Sequence, residues 1–215
     1  MNILITGCCG FIGFHQSKRL LDSNNKFNKI IGIDNINSYY DVNLKKKKLK
    51  ILKKNKNFKF FKIDLKNINK LESICIENKV KIIIHLAAQA GVRYSIDNPK
   101  KYFDSNISGF FNILELSRKI KIKHLIFAST SSVYGNSNKF PLEEKDNTDN
   151  PLTFYAATKK SNEVMAYSYS NIYKLPCTAL RFFTVYGPYG RPDMSIFKFI
   201  KSMKNNNKLQ LFNKG

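Results

Sequence analysis

Tyr155 and Lys159 stand four residues apart in the stretch YAATK. On a helix that spacing places both side chains on one face. A phenol ordinarily titrates near about 10, and a neighbouring ammonium favours its ionised form. The pair can therefore act as a general base near neutral pH. Upstream, the apolar run Lys123 to Ser129 (KHLIFAS) reads as a strand that leads into Thr130, Ser131 and Ser132. The C-terminal ends of strands are where open α/β sheets hold their ligands. Thr130 there can hold a substrate hydroxyl and share its proton with Tyr155. Tyr-x-x-x-Lys is common by chance in a chain with 11 tyrosines and 37 Lys and Arg residues. It becomes specific only in company.

That company is at the head of the chain. Asn2 to Thr6 is a short apolar run, followed by Gly7, Gly10 and Gly13 at a spacing of three. From Phe11 the apolar period becomes helical. Strand, glycine turn and helix together form a seat for a pyrophosphate, because backbone amides and the helix N-terminus face the anion. The spacing G-x-x-G-x-x-G departs from the commoner G-x-G-x-x-G, and an ordinary βα turn is the competing reading. Asp34 ends the next apolar run, Lys29 to Asp34 (KIIGID), 21 residues after Gly13. A carboxylate at that distance accepts hydrogen bonds from both hydroxyls of an adenosine ribose and repels a 2′-phosphate. The expected cofactor is NAD rather than NADP. Its positive nicotinamide ring, with Lys159, would further favour a Tyr155 phenolate, and Lys159 would also reach the nicotinamide ribose.

Strands and helices alternate along the rest of the chain. Strands are expected at Phe58–Asp64, Lys81–Ala88 and Pro176–Phe183, with a last one beginning at Lys208–Phe212. Helices are expected at Phe11–Asp22, Asp41–Lys54, Ile68–Asn78, Thr153–Tyr173 and Asp193–Lys204. One long helix is expected over Lys100–Lys119, with Phe103, Ile107, Phe110 and Leu114 as its buried stripe. The polar stretch Asn136–Asn150 reads as a loop. Continuous apolar strands mean a parallel sheet covered on both faces, a Rossmann-like doubly wound α/β fold. Small residues end the fourth strand, where a cofactor can lie close to the backbone. His85 within it reads as a packed strand histidine.

Composition narrows the function classes. The formal net charge of +22 invites a nucleic-acid reading. Yet only five of the 37 basic residues are arginines, the residue suited to phosphate forks and guanine edges, and 25 asparagines accompany them. The excess of Lys, Asn and Ile fits compositional bias on solvated positions, and Lys45 to Lys48 reads as a solvated helix face. No nucleic-acid partner is expected. No run approaches the roughly 18 apolar residues of a membrane span, so no membrane partner is expected. Cys8, Cys9, Cys75 and Cys177 lack metal-ligand spacing, and no metal is expected. Together with the absence of a leader before the first strand, they suggest a reducing, cytoplasmic setting.

Taken together, TGCCGFIG, HLAAQAGV, ASTSSVYG, YAATK and RFFTVYGPYGRPDM resemble the extended short-chain dehydrogenase/reductases of the NAD-dependent epimerase/dehydratase family. Within it, NINSYYDVNLK and AGVRYSIDNP are most like the UDP-glucuronate 4-epimerases. The resemblance covers essentially the whole chain. It implies a catalytic set of Thr130, Tyr155 and Lys159. Gly7, Gly10, Phe11, Ile12 and Gly13 would hold the pyrophosphate. Asp34 and Asn35 would hold the adenosine ribose, with Asp64 and Leu65 beside the adenine. Leu86, Ala87, Ala88 and Gln89 would lie along the nicotinamide half. Asn106 would be nearby, and Phe182 would wall the ring, although Phe182 and Phe183 fit plain core equally well. Tyr155 would take the proton of the sugar 4-hydroxyl, and a transient 4-keto sugar would turn and be reduced on its other face.

The positions after Thr130 narrow the reaction. Related dehydratases carry Asp-Glu or Glu there, whereas this chain has Ser131 and Ser132. Neither can protonate a leaving hydroxyl, which favours simple epimerisation. Ser131, Ser132 and Thr184 suit a sugar carboxylate instead. Arg191 can reach a diphosphate and Arg93 the site entrance, with a structural salt bridge as the alternative for each. The expected substrate is a UDP-sugar, UDP-glucuronate first, with UDP-glucose or UDP-N-acetylglucosamine as alternatives. An inactive NAD- or RNA-binding protein of the same fold is the alternative from another class. The resemblance also implies a homodimer through a four-helix bundle. It further implies an NAD-binding domain over 1–186 and the start of a substrate domain over 187–215, incomplete because the chain looks cut.

Overall fold

The structure is a computed structural model that describes residues 1–23 and 29–209. Six strands form one parallel sheet: β1 (Asn2–Thr6), β2 (Lys29–Asp34), β3 (Phe58–Lys62), β4 (Val80–His85), β5 (His124–Thr130) and β6 (Cys177–Phe182). Their order is β3-β2-β1-β4-β5-β6. The order of winding along the sheet reverses between β1 and β4, so the crevice outside their C-terminal ends is the expected ligand position.

The helices follow from apolar faces that the strands leave to be covered. α1 (Phe11–Asp22) and α2 (Val42–Leu52) pack on one side. There Phe14, Leu49 and Leu52 meet Ile3, Ile5, Ile30 and Phe58. On the other side, α3 (Ile68–Glu77), α6 (Gly109–Lys119) and α7 (Phe154–Tyr173) bring Leu71, Phe110, Leu114 and Ala166 against Leu4, Ile31, Ile83 and Phe127. The central strands are apolar on both faces, as a buried parallel sheet requires. β6 departs from the expectation of full cover: at the sheet edge, Thr178, Ala179 and Leu180 remain exposed.

Lys100–Lys119 is not one α-helix. After the short helices α4 (Tyr94–Asp97) and α5 (Pro99–Tyr102), a π-helical segment, Phe103–Ser108, leads into α6. A π-turn inserts one residue into the helical period. The buried face before the break therefore shifts to Tyr102 and Asn106, while Phe103 is 46% exposed. Beyond the break the expected stripe resumes at Phe110 and Leu114. The Lys45–Lys48 reading also changes. Lys46 and Lys47 are exposed, but Lys45 and Lys48 are buried. Lys45 Nζ donates to the Asn37 carbonyl at 2.8 Å, and Lys48 Nζ donates to the Tyr40 hydroxyl at 3.1 Å. Each also sits over the Tyr40 ring. Thus two of the four ammonium groups anchor the loop that follows β2.

A short 3-10 turn, Ser131–Tyr134, follows β5, and α8 (Ser195–Lys204) closes the described chain. The strand expected at Lys208–Phe212 lies mostly outside the described residues. No helix among the described residues is long and apolar enough to cross a membrane.

Candidate active site

One half of the crevice is made of backbone. The amides of Gly7 and Cys8 both donate to the Ile33 carbonyl, tying the glycine turn to β2. Gly7 has φ +69°, and a Cβ on it would lie 2.8 Å from the Ala87 nitrogen at the end of β4. A Cβ on Gly13 would lie 2.1 Å from the Gly7 carbonyl oxygen. The turn and the first turn of α1 are thus in contact at a distance that only hydrogen allows. α1 begins after Gly10 with no side-chain cap, so its leading amides, on Phe11, Ile12 and Gly13, face the crevice as an anion seat.

Asp34 closes one end of this seat. One carboxylate oxygen accepts from the Cys9 amide at 3.0 Å and the other from the Ile36 amide at 2.7 Å. Its orientation is fixed before any ligand arrives. Next to it, Asn35 Nδ2 donates to Asp64 at 2.8 Å, and Leu65 is buried beneath. At the end of β4, the Thr6 hydroxyl accepts from the amides of Leu86 and Ala87 at 3.1 and 3.0 Å and bonds His85 Nδ1 at 2.9 Å. Burial holds the His85 imidazole down to about 3, so it is neutral and structural, as expected. Leu86, Ala87 and Ala88 are half-buried along the crevice. The seat, the oriented carboxylate and the small residues opposite them fit a dinucleotide.

Asn106 lies behind Gln89. It is 1% exposed, and its amide clamps both backbone groups of Gln89 at 2.8 and 3.0 Å while donating to Thr158 at 3.1 Å. The π-helical segment turns it inward, and it acts on the crevice through Gln89.

The other half of the crevice is made of side chains. α7 starts at a Thr153 cap, whose hydroxyl accepts from the Ala156 amide at 3.2 Å. Tyr155 and Lys159 then share a face. Thr130 is near enough to the Tyr155 phenol to draw its pKa down, and the Thr130 hydroxyl bonds the Ser132 amide and hydroxyl at 3.2 Å each. Lys159 Nζ donates to the Ala128 carbonyl at 2.9 Å. Burial pushes the phenol above its ordinary value, opposed by Thr130 and the Arg191 charge. Burial also holds the Lys159 ammonium down to about 8. With a value of about 8, Lys159 still carries its proton at neutral pH. The downward influences on Tyr155 come from Thr130 and Arg191.

Ser131 and Ser132 stand beside Thr130, and Phe182 is half-buried at the end of β6, whereas Phe183 and Thr184 are exposed. Arg93 is exposed at the start of α4. Arg191 forms a bidentate pair with Asp193 and donates to the Tyr39 hydroxyl at 3.4 Å. The segment 187–193 is fastened to α1 by the Pro188 carbonyl on His15 Nε2 at 2.8 Å and by Tyr189 against Phe14. Tyr39, Tyr94 and Tyr102 form a row of rings leading to Tyr155, with centroid steps of 5.0, 6.2 and 6.0 Å. Sequence reasoning missed this row, because nothing in the spacing of three tyrosines on three elements announces it. A groove of about 540 Å³ between β6 and α7 borders the Glu163–Arg181 ion pair and lies away from the glycine turn.

Residues 3–215 match the NAD dependent epimerase/dehydratase family. Protein CapI of Staphylococcus aureus is 53% identical over the whole chain, which covers 63% of that protein. A probable UDP-glucuronate 4-epimerase of Rhizobium meliloti is 49% identical over the whole chain, which covers 62% of it. The chain thus spans less than two thirds of the length of these curated relatives. Among solved structures, a Bacillus cereus UDP-glucuronic acid 4-epimerase in complex with UDP-glucuronic acid and NAD superposes with a TM-score of 0.93 at 35% identity, over all of this chain and 67% of that one.

Proposed function

The chain belongs to the NAD-dependent epimerase/dehydratase family, and from that premise we propose that it carries the catalytic half of a UDP-sugar 4-epimerase, acting on UDP-glucuronate to give UDP-galacturonate. The observation that carries the reading is the placement of Tyr155 and Lys159 one turn apart on α7, with Lys159 tied to β5 at Ala128 at 2.9 Å and Thr130 at the end of that same strand. Bound NAD supplies a reversible hydride acceptor. The residues of the chain do the rest. The glycine-turn amides and the α1 N-terminus take the pyrophosphate, and Asp34 takes the adenosine ribose with Asn35. Asp64 and Leu65 flank the adenine, Gln89 is held in place by Asn106, and Phe182 walls the nicotinamide side.

Tyr155 receives the proton of the sugar 4-hydroxyl and returns it after the 4-keto sugar has turned. Thr130 holds that oxygen throughout, and the Arg191 charge helps the phenol give up its proton. Ser131, Ser132 and Thr184 hold the uronate carboxylate, which disfavours its loss from the β-keto acid. Neither serine can act as the acid that dehydration needs. Arg93 lies at the entrance. Residues 1–186 are read as the NAD-binding domain and 187–215 as the start of the substrate domain. The reducing cytoplasm suits four free thiols. A homodimer through α6 and α7 suits exposed Phe111, Val164 and Tyr167.

The test is turnover by the purified chain with NAD, offered UDP-glucuronate and UDP-glucose separately. Conversion of the uronate to its C4 epimer is expected. Equal or better use of the neutral sugar would replace the uronate reading. If Ser131→Ala and Thr184→Val left binding of both sugars unchanged, the carboxylate assignment would be wrong.

A further inference from the structure

Cys8 and Cys9 lie within the glycine turn, and the fold brings a third ligand to them that their spacing could not announce. The two thiol sulfurs and a carboxylate oxygen of Asp34 lie within 4.8 Å of one another. The sulfurs are 3.9 Å apart. An ion with tetrahedral bonds of about 2.3 Å to sulfur spans its two sulfurs by about 3.8 Å, so the pair already stands at that bite. Both cysteines are completely buried, which excludes competing water. Two thiolates and a carboxylate around a divalent ion carry one net negative charge. Among the described residues, the ammonium groups of Lys45 and Lys48 act electrostatically on Cys9 and Asp34. The ammonium groups offset that negative charge.

We propose that Cys8, Cys9 and Asp34 form a binding site for a thiophilic divalent cation, and that its occupation and cofactor binding exclude one another. Binding is an exchange: two thiol protons leave to solvent, two metal–sulfur bonds form, and Asp34 adds an oxygen. The exclusion rests on the reading of Asp34 as the ribose carboxylate, because an Asp34 oxygen bound to the ion is no longer available to the ribose hydroxyls. The protein would then lose its cofactor when a soft metal ion is in excess, without any contact at Tyr155.

Cd²⁺ is the probe, followed by its thiolate charge-transfer absorption and by calorimetry on the reduced chain. One Cd²⁺ per chain is expected, with the absorption lost in Cys9→Ser and in Cys8→Ala and kept in a Cys75→Ser, Cys177→Ser double variant. NAD should weaken Cd²⁺ binding in proportion to its own concentration with no plateau, at least about tenfold at ten times its Kd, and Cd²⁺ should weaken NAD binding in the same competitive way. Circular dichroism of each variant checks folding. If Cys8→Ala does not fold, Cys9→Ser and the double variant still decide the site. Absorption lost only in the double variant, no absorption with NAD bound normally, or simultaneous binding of both ligands would overturn the proposal. Absorption present in a chain that binds no NAD would overturn the cofactor reading and leave the ion site standing.

Discussion

The two halves of the crevice are built by different means. Beside β1 and β2, the site is backbone: uncapped amides, a turn at φ +69° and glycines that leave no room for a Cβ. Beside β5 and β6, it is side chains: a phenol, an ammonium and a hydroxyl held on α7 and a strand end. A backbone site is damaged by adding atoms and a side-chain site by removing them. The first therefore couples function to folding, and the second leaves the two separable.

The sharpest test of that contrast is Tyr155→Phe. Removing one hydroxyl should lower turnover of the preferred UDP-sugar by about 10³-fold, in the range for a lost general base, while NAD binding and melting temperature stay near wild type. Parallel calorimetry and steady-state kinetics would check it, and a matching loss of NAD affinity would break the separation. Gly13→Ala is the counterpart. With a Cβ placed 2.1 Å from the Gly7 oxygen, α1 must move off the turn. The expected cost is about 3 kcal/mol of stability, at the upper end for overpacking, together with loss of NAD binding. Denaturant unfolding and NAD titration on the same sample measure both.

The same contrast explains what could be read without coordinates. The backbone half was legible because glycine at fixed spacing, and an acid at a fixed distance, are demanded by geometry. Gly7, Gly13 and Asp34 stand where their spacing places them. The Tyr155–Lys159 pair was legible as a shared helix face, but the direction of Lys159 toward Ala128 was not, since a side-chain rotamer leaves no periodic trace. The break at Phe103–Ser108 was hidden because a π-turn changes the period by a single residue, and Asn106 in that break passes for any polar helix position. Lys45 and Lys48 were misjudged for a related reason. A lysine looks solvated by type, and only the fold shows Tyr40 covering it.

Lys159 and His85 sharpen the contrast through pH. Both are buried bases held below their ordinary values by desolvation, to about 8 and about 3. In each case the unfolded chain binds the proton that the folded chain refuses, so stability rises with pH across the window between the two values. For His85 that window lies between about 3 and about 6.5, and for Lys159 between about 8 and about 10.5. Lys159→Met should therefore raise stability at pH 7 by on the order of 2 kcal/mol and flatten the alkaline limb. It should also lower turnover. His85→Gln should flatten only the acid limb. Unfolding curves from pH 4 to 10 would show both. An unchanged alkaline limb in Lys159→Met would mean that the ammonium is solvated by way of the crevice.

The smallest effect belongs to a position that touches neither half. Lys174 ends α7 in the left-handed region at φ +52°. A residue with a Cβ pays about 1 kcal/mol there, which glycine avoids. Lys174→Gly should relieve most of this, less the entropy that a glycine adds to the unfolded chain. The expected gain is about 0.5 kcal/mol by denaturant midpoint, with turnover and NAD affinity unchanged. Because α7 carries Tyr155 and Lys159 at its other end, the substitution also measures how far the end of a helix matters to residues near its start. A change in turnover from a substitution at the last turn would mean that the side-chain half depends on the whole length of α7, and the separation between folding and chemistry drawn from Tyr155→Phe would then hold only for the hydroxyl itself.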